Sequence, residues 1–103
     1  PKVGSKPDYT GETLDKTYTF ENYSNEYYEN GITWYDITDK KDVPVKTGKF
    51  VEGHDYKVKI HLMSTPGYVF GDQITASISG KPASGVIQDN QAIISIKFKL
   101  FHL

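Results

Sequence analysis

Residues 56–63 alternate without a break: Tyr56, Val58, Ile60 and Leu62 are apolar, and Lys57, Lys59 and His61 stand between them. A repeat of two matches the pleat of an extended chain, so the four apolar side chains share one face; a helix would scatter them around its circumference. The same period returns near the end, where Ala92, Ile94, Ile96, Phe98 and Leu100 alternate with Ser95, Lys97 and Lys99. Two strands that are each apolar on one side need a covering layer, which commits the chain to a β architecture with a buried face.

Shorter signals extend this pattern. In residues 16–22, Tyr18 and Phe20 oppose Thr17, Thr19 and Glu21. Asn30-Gly31 tolerates the two positive φ angles of a type I′ hairpin turn, and residues 32–37 should leave it as a strand with Ile32 and Trp34 on one side and Thr33 and Tyr35 on the other. Asp39-Lys40-Lys41-Asp42 reads as a solvated turn. Val43-Pro44-Val45 fits only a sheet edge, because Pro44 has no N–H to give a ladder. Ser64-Thr65-Pro66-Gly67 stops the strand of residues 56–63, and Tyr68-Val69-Phe70 resumes as another. Ile74, Ala76 and Ile78 alternate with Thr75, Ser77 and Ser79 until Gly80, and Asp89-Asn90 suits a two-residue hairpin loop.

These runs amount to about seven to nine short strands, with no helical i, i+3, i+4 stripe anywhere. The expectation is an all-β fold, an antiparallel two-sheet sandwich. Its core should hold Trp34, Phe50, Tyr56, Val58, Ile60, Leu62, Phe70, Ile94, Ile96 and Phe98. Residues 1–12, rich in Pro, Gly, Lys and Asp, read as a leader or inter-repeat linker, and residues 13–103 as one module, since a chain of 103 residues supports a single core.

Charge narrows the partners. Twelve Lys against 13 acidic residues give a net charge of -1, and every basic residue is Lys, so the bidentate guanidinium fork that reads phosphates and guanine edges is absent. Nucleic acid is therefore not an expected partner. No apolar run approaches the ~20 residues of a membrane span, so membrane insertion is not expected either. The absence of Cys removes disulfides and thiolate metal sites.

The run Phe50-Val51-Glu52-Gly53-His54-Asp55-Tyr56-Lys57-Val58-Lys59-Ile60 resembles the spacing of fibronectin type III and related modules, in which an apolar residue and Gly precede Tyr-x-Val-x-Ile. It is joined to Pro1-Lys2-Val3-Gly4-Ser5-Lys6-Pro7 at the start and Gly31-Ile32-Thr33-Trp34-Tyr35-Asp36 in the middle. Gly67-Tyr68-Val69-Phe70 and Ile78-Ser79-Gly80-Lys81-Pro82-Ala83 follow. Together these resemble a repeat module of large surface proteins of Gram-positive bacteria. The resemblance implies an immunoglobulin-like or fibronectin type III-like unit that acts as a non-catalytic structural or adhesive spacer in a secreted or cell-wall-attached protein. Its partners would be neighbouring domains of the same chain, with a host or wall glycan or protein as a further candidate. It carries over no catalytic residue, ligand residue or cofactor.

Several constellations are candidates for chemistry. Tyr27 and Tyr28, flanked by Glu26 and Glu29, and the outward Tyr35 form the set from which a carbohydrate-binding site would be built, because aromatic faces stack on sugar rings. Asp36, Asp39 and Asp42 lack the alternating ligands and Gly of a calcium loop. His54, His61 and His102 show no zinc spacing, and no Ser sits in a nucleophile elbow, so no enzyme class and no metal are expected. A Lys to Asn cross-link between Lys16 or Lys49 and Asn90 would need a buried acid between them, whereas both Lys fall on wet faces or turns.

Overall fold

The computed structural model describes residues 1–13, 15–71, 74–89 and 91–100. Seven strands, β1 (Tyr18–Phe20), β2 (Ile32–Asp36), β3 (Val43–Pro44), β4 (Asp55–Ser64), β5 (Ala76–Ile78), β6 (Lys81–Gln88) and β7 (Gln91–Lys99), make an all-β chain, with no helix among the described residues. All pairings are antiparallel, and the strands join in one connected sheet of order β3-β2-β4-β7-β6-β5.

β4 is the axis. One of its edges is paired with β7 from Asp55↔Lys99 to Met63↔Gln91. The other is shared: β1 lies opposite Leu62, Met63 and Ser64, and β2 lies opposite Tyr56 to Ile60. β1 and β2 are thus two pieces of one ladder. The gap between them is bridged at His61, whose carbonyl accepts from Glu21 N (2.9 Å) and whose N–H donates to Gly31 O (2.9 Å).

Burial along β4 follows the sequence period, with Tyr56, Val58, Ile60 and Leu62 at 2 to 7% exposure and their neighbours wetter. Cross-strand register places Ile32, Trp34, Ile94 and Ala92 on the same face, and all are buried. Phe50 comes from outside the strands and packs edge-on against Trp34 (5.0 Å between centroids) and Tyr56 (4.8 Å). Such T-shaped pairs add ~0.5–1.5 kcal/mol each beyond area burial. Phe70, Ile96 and Phe98 are only partly buried and pack against this core without being enclosed by it.

The apolar face is covered by residues 1–10, the loop carrying Phe50, and β5, whose Ala76 and Ile78 pack back onto the core. β6 makes this possible by dividing its pairing: Ser84 to Gln88 lie against β7, whereas Lys81 to Ala83 carry β5. Gly85 allows a close approach here, since a Cβ at that position would sit 2.6 Å from Ile74 Cδ1.

One local reading comes out differently, and two further segments go beyond the pattern. Residues 68–70 form no strand: Tyr68 and Val69 are 54% and 80% exposed, and Tyr68 N closes a turn onto Thr65 O. Both edges of β4 at that level are already taken by β1 and β7, so an extended trio finds no ladder there. β6 has no counterpart in the pattern reading, because Pro82 and Gly85 break any alternation and most of its side chains are exposed on both faces. Residues 1–12 contain no strand, yet they are stitched into the domain. Gly4 N and Phe50 O (2.9 Å) and Phe50 N and Ser5 O (2.9 Å) form a reciprocal pair, and Trp34 Nε1 donates to Asp8 O (2.8 Å). Tyr9 is 9% exposed, and its hydroxyl donates to Val45 O. Burial, reinforced by the charge of Glu29, pushes that hydroxyl up to about 12.

The turn of residues 50–54 also holds the other end of the described chain, with Gly53 N on Leu100 O (2.6 Å) and Leu100 N on His54 O (3.1 Å). Gly4 and Leu100 are therefore both hydrogen-bonded to one short turn of a body 46 × 26 × 23 Å in extent.

Candidate functional site

The interruption between β1 and β2 throws out residues 22–30 as a compact loop with a narrow neck. Its ends meet at Glu21 and Gly31, and its interior is tied by Gly31 N to Tyr23 O (3.0 Å) and Asn25 N to Tyr28 O (2.8 Å). The Asn25 carboxamide oxygen accepts from Tyr27 N (2.7 Å) and Tyr28 N (3.0 Å), as an Asx residue does in a turn. From outside, Lys46 Nζ donates to Asn25 O (2.5 Å) and Tyr28 O (3.3 Å). Asn30 (φ 52°) and Gly31 (φ 72°) form the two-residue turn expected of that dipeptide, closed by reciprocal bonds between Glu29 and Ile32. Closed neck and self-packed interior are the marks of an Ω-loop.

The loop lies on the face of the sheet opposite the core. Tyr28 stacks on His61 (6.3 Å, 14° between planes) and tilts against Tyr23 (5.1 Å). Burial raises the Tyr28 hydroxyl above its ordinary range, and the Tyr23 hydroxyl bonded to it adds to the effect. Burial also lowers the His61 imidazole, against the opposing charge of Glu21 at 3.7 Å. Thr33, expected on a wet face, is 3% exposed.

Further along the same face, Lys57 and Lys59 hold their ammonium groups 5.3 and 5.6 Å from the centre of the Tyr35 ring. Lys57 also pairs with Asp42 at 2.6 Å, which ties the turn before β3 to β4. The cation–π contacts occupy the Tyr35 ring, and His61 occupies a face of Tyr28. Tyr27 stands apart, 51% exposed, with its hydroxyl bonded to Glu26. Of the three tyrosines singled out in the sequence, Tyr28 and Tyr35 thus share the outer face and Tyr27 does not join them. Tyr23, 50% exposed, belongs to the cluster and carried no pattern that would have marked it.

Asp36 and Asp42 act as ties. Asp36 accepts from Thr38 N (3.0 Å), Thr38 Oγ1 (2.5 Å) and His54 Nδ1 (2.7 Å). Burial by itself would raise the Asp36 carboxyl, but these hydrogen bonds outweigh it and hold the group below its ordinary range. His54 in turn stacks on Tyr56 (6.3 Å), so the Asp36 contact locks the turn of residues 50–54 to β2. Among the described residues, no three His, Asp or Glu converge as a metal site would require. Lys16 and Lys49 are exposed, and Asn90 and His102 lie outside the described residues.

Of the residues named for the core, Trp34, Phe50, Tyr56, Val58, Ile60, Leu62 and Ile94 are buried, and Phe70, Ile96 and Phe98 are partly buried. No family model, no curated protein and no solved structure matches this chain.

Proposed function

We propose that the chain is a non-catalytic structural or adhesive module of a secreted or cell-wall-attached surface protein, immunoglobulin-like or fibronectin type III-like in build. The observation that supports it best is the convergence of distant segments on one turn. Gly4, Ser5 and Leu100 are all held by the turn of residues 50–54. Segments far apart in sequence are thereby tied into one body, as a structural module requires. The polar constellations fit the same reading, since Asp36–His54, Asp42–Lys57 and Glu21–His61 each join two segments of the scaffold.

The second reading, a carbohydrate-binding module, draws on the shared outer face of Tyr28 and Tyr35 beside the exposed Tyr23. A glycan array and wall polysaccharides presented to the isolated module separate the two. The structural reading expects no specific binding. A reproducible hit that Tyr35→Ala abolishes while leaving the fold intact would replace it with the sugar-binding reading.

A further inference from the structure

We propose that the cleft between the N-terminal segment and the β5–β6 hairpin binds a single-chain anionic amphiphile, a molecule of the fatty-acid type. The inference is independent of the structural-module reading. β6 leaves β7 after the Ser84↔Ser95 pair, so Lys81 to Ala83 swing away and, among the described residues, no strand pairs with the edge of β7 opposite β4 at Ile96 and Phe98. On the other side, residues 5–8 cross the core face without forming a strand, anchored at Gly4–Ser5, at the Asp8 carbonyl and at the following Tyr9. The gap between them is a cleft of about 540 Å³, within the range that small-molecule sites occupy.

Its walls are two-sided in chemistry. Trp34, Val58, Ile60, Ile78 and Phe98 line it with hydrocarbon and aromatic surface, whereas Lys2, Lys6 and Lys81 stand along it with Asp8 as the one carboxylate. That carboxylate is already engaged by Thr10 N (2.8 Å) and Thr10 Oγ1 (2.6 Å). Lys81 Nζ lies 5.7 Å from the centre of the Phe98 ring, which stations an ammonium where the apolar lining ends. An apolar tail against Phe98 and Ile78 would cover surface that the protein leaves half-open, and its anionic head would meet three ammonium groups. A cationic head would be repelled by the same three, and a neutral one would forgo the attraction.

Trp34 is the chain's only tryptophan and lines the cleft, so its emission reports occupancy. Decanoate, decyltrimethylammonium and decanol, each kept below its aggregation threshold, are titrated against the whole chain. Decanoate should shift Trp34 emission saturably, with an affinity at least about tenfold above the other two. Lys81→Glu should weaken decanoate by a similar factor, Lys81→Arg should retain it, and Ile78→Phe should block it, with circular dichroism and thermal melts verifying that each variant is folded. Equal response to all three amphiphiles, or none to decanoate, would overturn the proposal. So would co-sedimentation with anionic lipid vesicles at unchanged Trp34 emission, which would assign the lysines to a bilayer surface. An emission shift that tracks protein concentration alone, with dimers in analytical ultracentrifugation, would assign the cleft to a second copy and likewise overturn it.

Discussion

Trp34 donates its indole N–H to the backbone carbonyl of Asp8 at 2.8 Å, joining β2 to a segment that forms no strand of its own. The ring beneath that bond packs on Phe50, whose backbone is paired with Gly4 and Ser5. One side chain therefore serves as the floor of the core and as an anchor of the segment that covers it.

Trp34→Ala should cost ~3–5 kcal/mol, a large share of the ~5–15 kcal/mol that a domain of this size possesses. Trp34→Phe keeps most of the packing and removes the donor, with an expected loss of ~1–2 kcal/mol. Deleting residues 1–8 should lower the urea midpoint and shift Trp34 emission to the red. Unchanged emission after that deletion would show that the segment does not cover the core in solution.

Two glycines separate strain from crowding. Gly53 has φ 82° with open space where a Cβ would go, so Gly53→Ala should cost only the left-handed penalty of ~1 kcal/mol. Gly31 has φ 72°, and its Cβ would stand 2.9 Å from Glu21 O and 3.0 Å from His61 O, both backbone atoms at the loop neck. Gly31→Ala should cost at least ~2 kcal/mol, because backbone atoms in a ladder cannot yield. Chemical denaturation of both variants tests this, and equal costs would refute the pinched neck.

The acid response should have two identifiable contributions. Burial lowers the His61 imidazole below its ordinary value of 6.5, so the unfolded chain takes up the proton first. The contribution of neutral His61 is complete above pH 6.5 and declines as pH falls below it toward the folded value; His61→Gln should flatten that window. Asp36 is held below its ordinary 3.8, so its contribution is present above that pH and is lost as pH falls through the lower folded value. Asp36→Asn should flatten the acid limb. An NMR titration that places the His61 midpoint above 6.5 would contradict the first assignment.

How far the fold was legible depended on whether a segment's pattern and its neighbours agreed. β4 and β7 were readable because each has one face on the core and one outside, and the alternation survives in their sequences. The Asn30-Gly31 turn was readable because its conformation is a property of two residues. β6 was not, since its strand state rests on hydrogen bonds to β5 and β7 and not on the side chains of Pro82 to Gln88. Residues 68–70 have strand composition but meet a β4 whose edges are filled. At the outer face, Tyr28 and Tyr35 were visible as aromatics, yet their engagement by His61, Lys57 and Lys59 was not.

The sequence by itself determined the β class, the buried face of β4 and β7, the edge role of Pro44 and the Asn30-Gly31 turn, because period and backbone preference are local properties. Only the tertiary structure decided that residues 1–10 cover the core, that β1 and β2 are one ladder interrupted by a loop, and that both described ends meet at the turn of residues 50–54. Those features depend on hydrogen bonds between residues far apart in sequence, such as Gly4 with Phe50, and backbone groups are alike at every position. Side-chain pattern shows which face is apolar, but the tertiary arrangement decides which segment covers it.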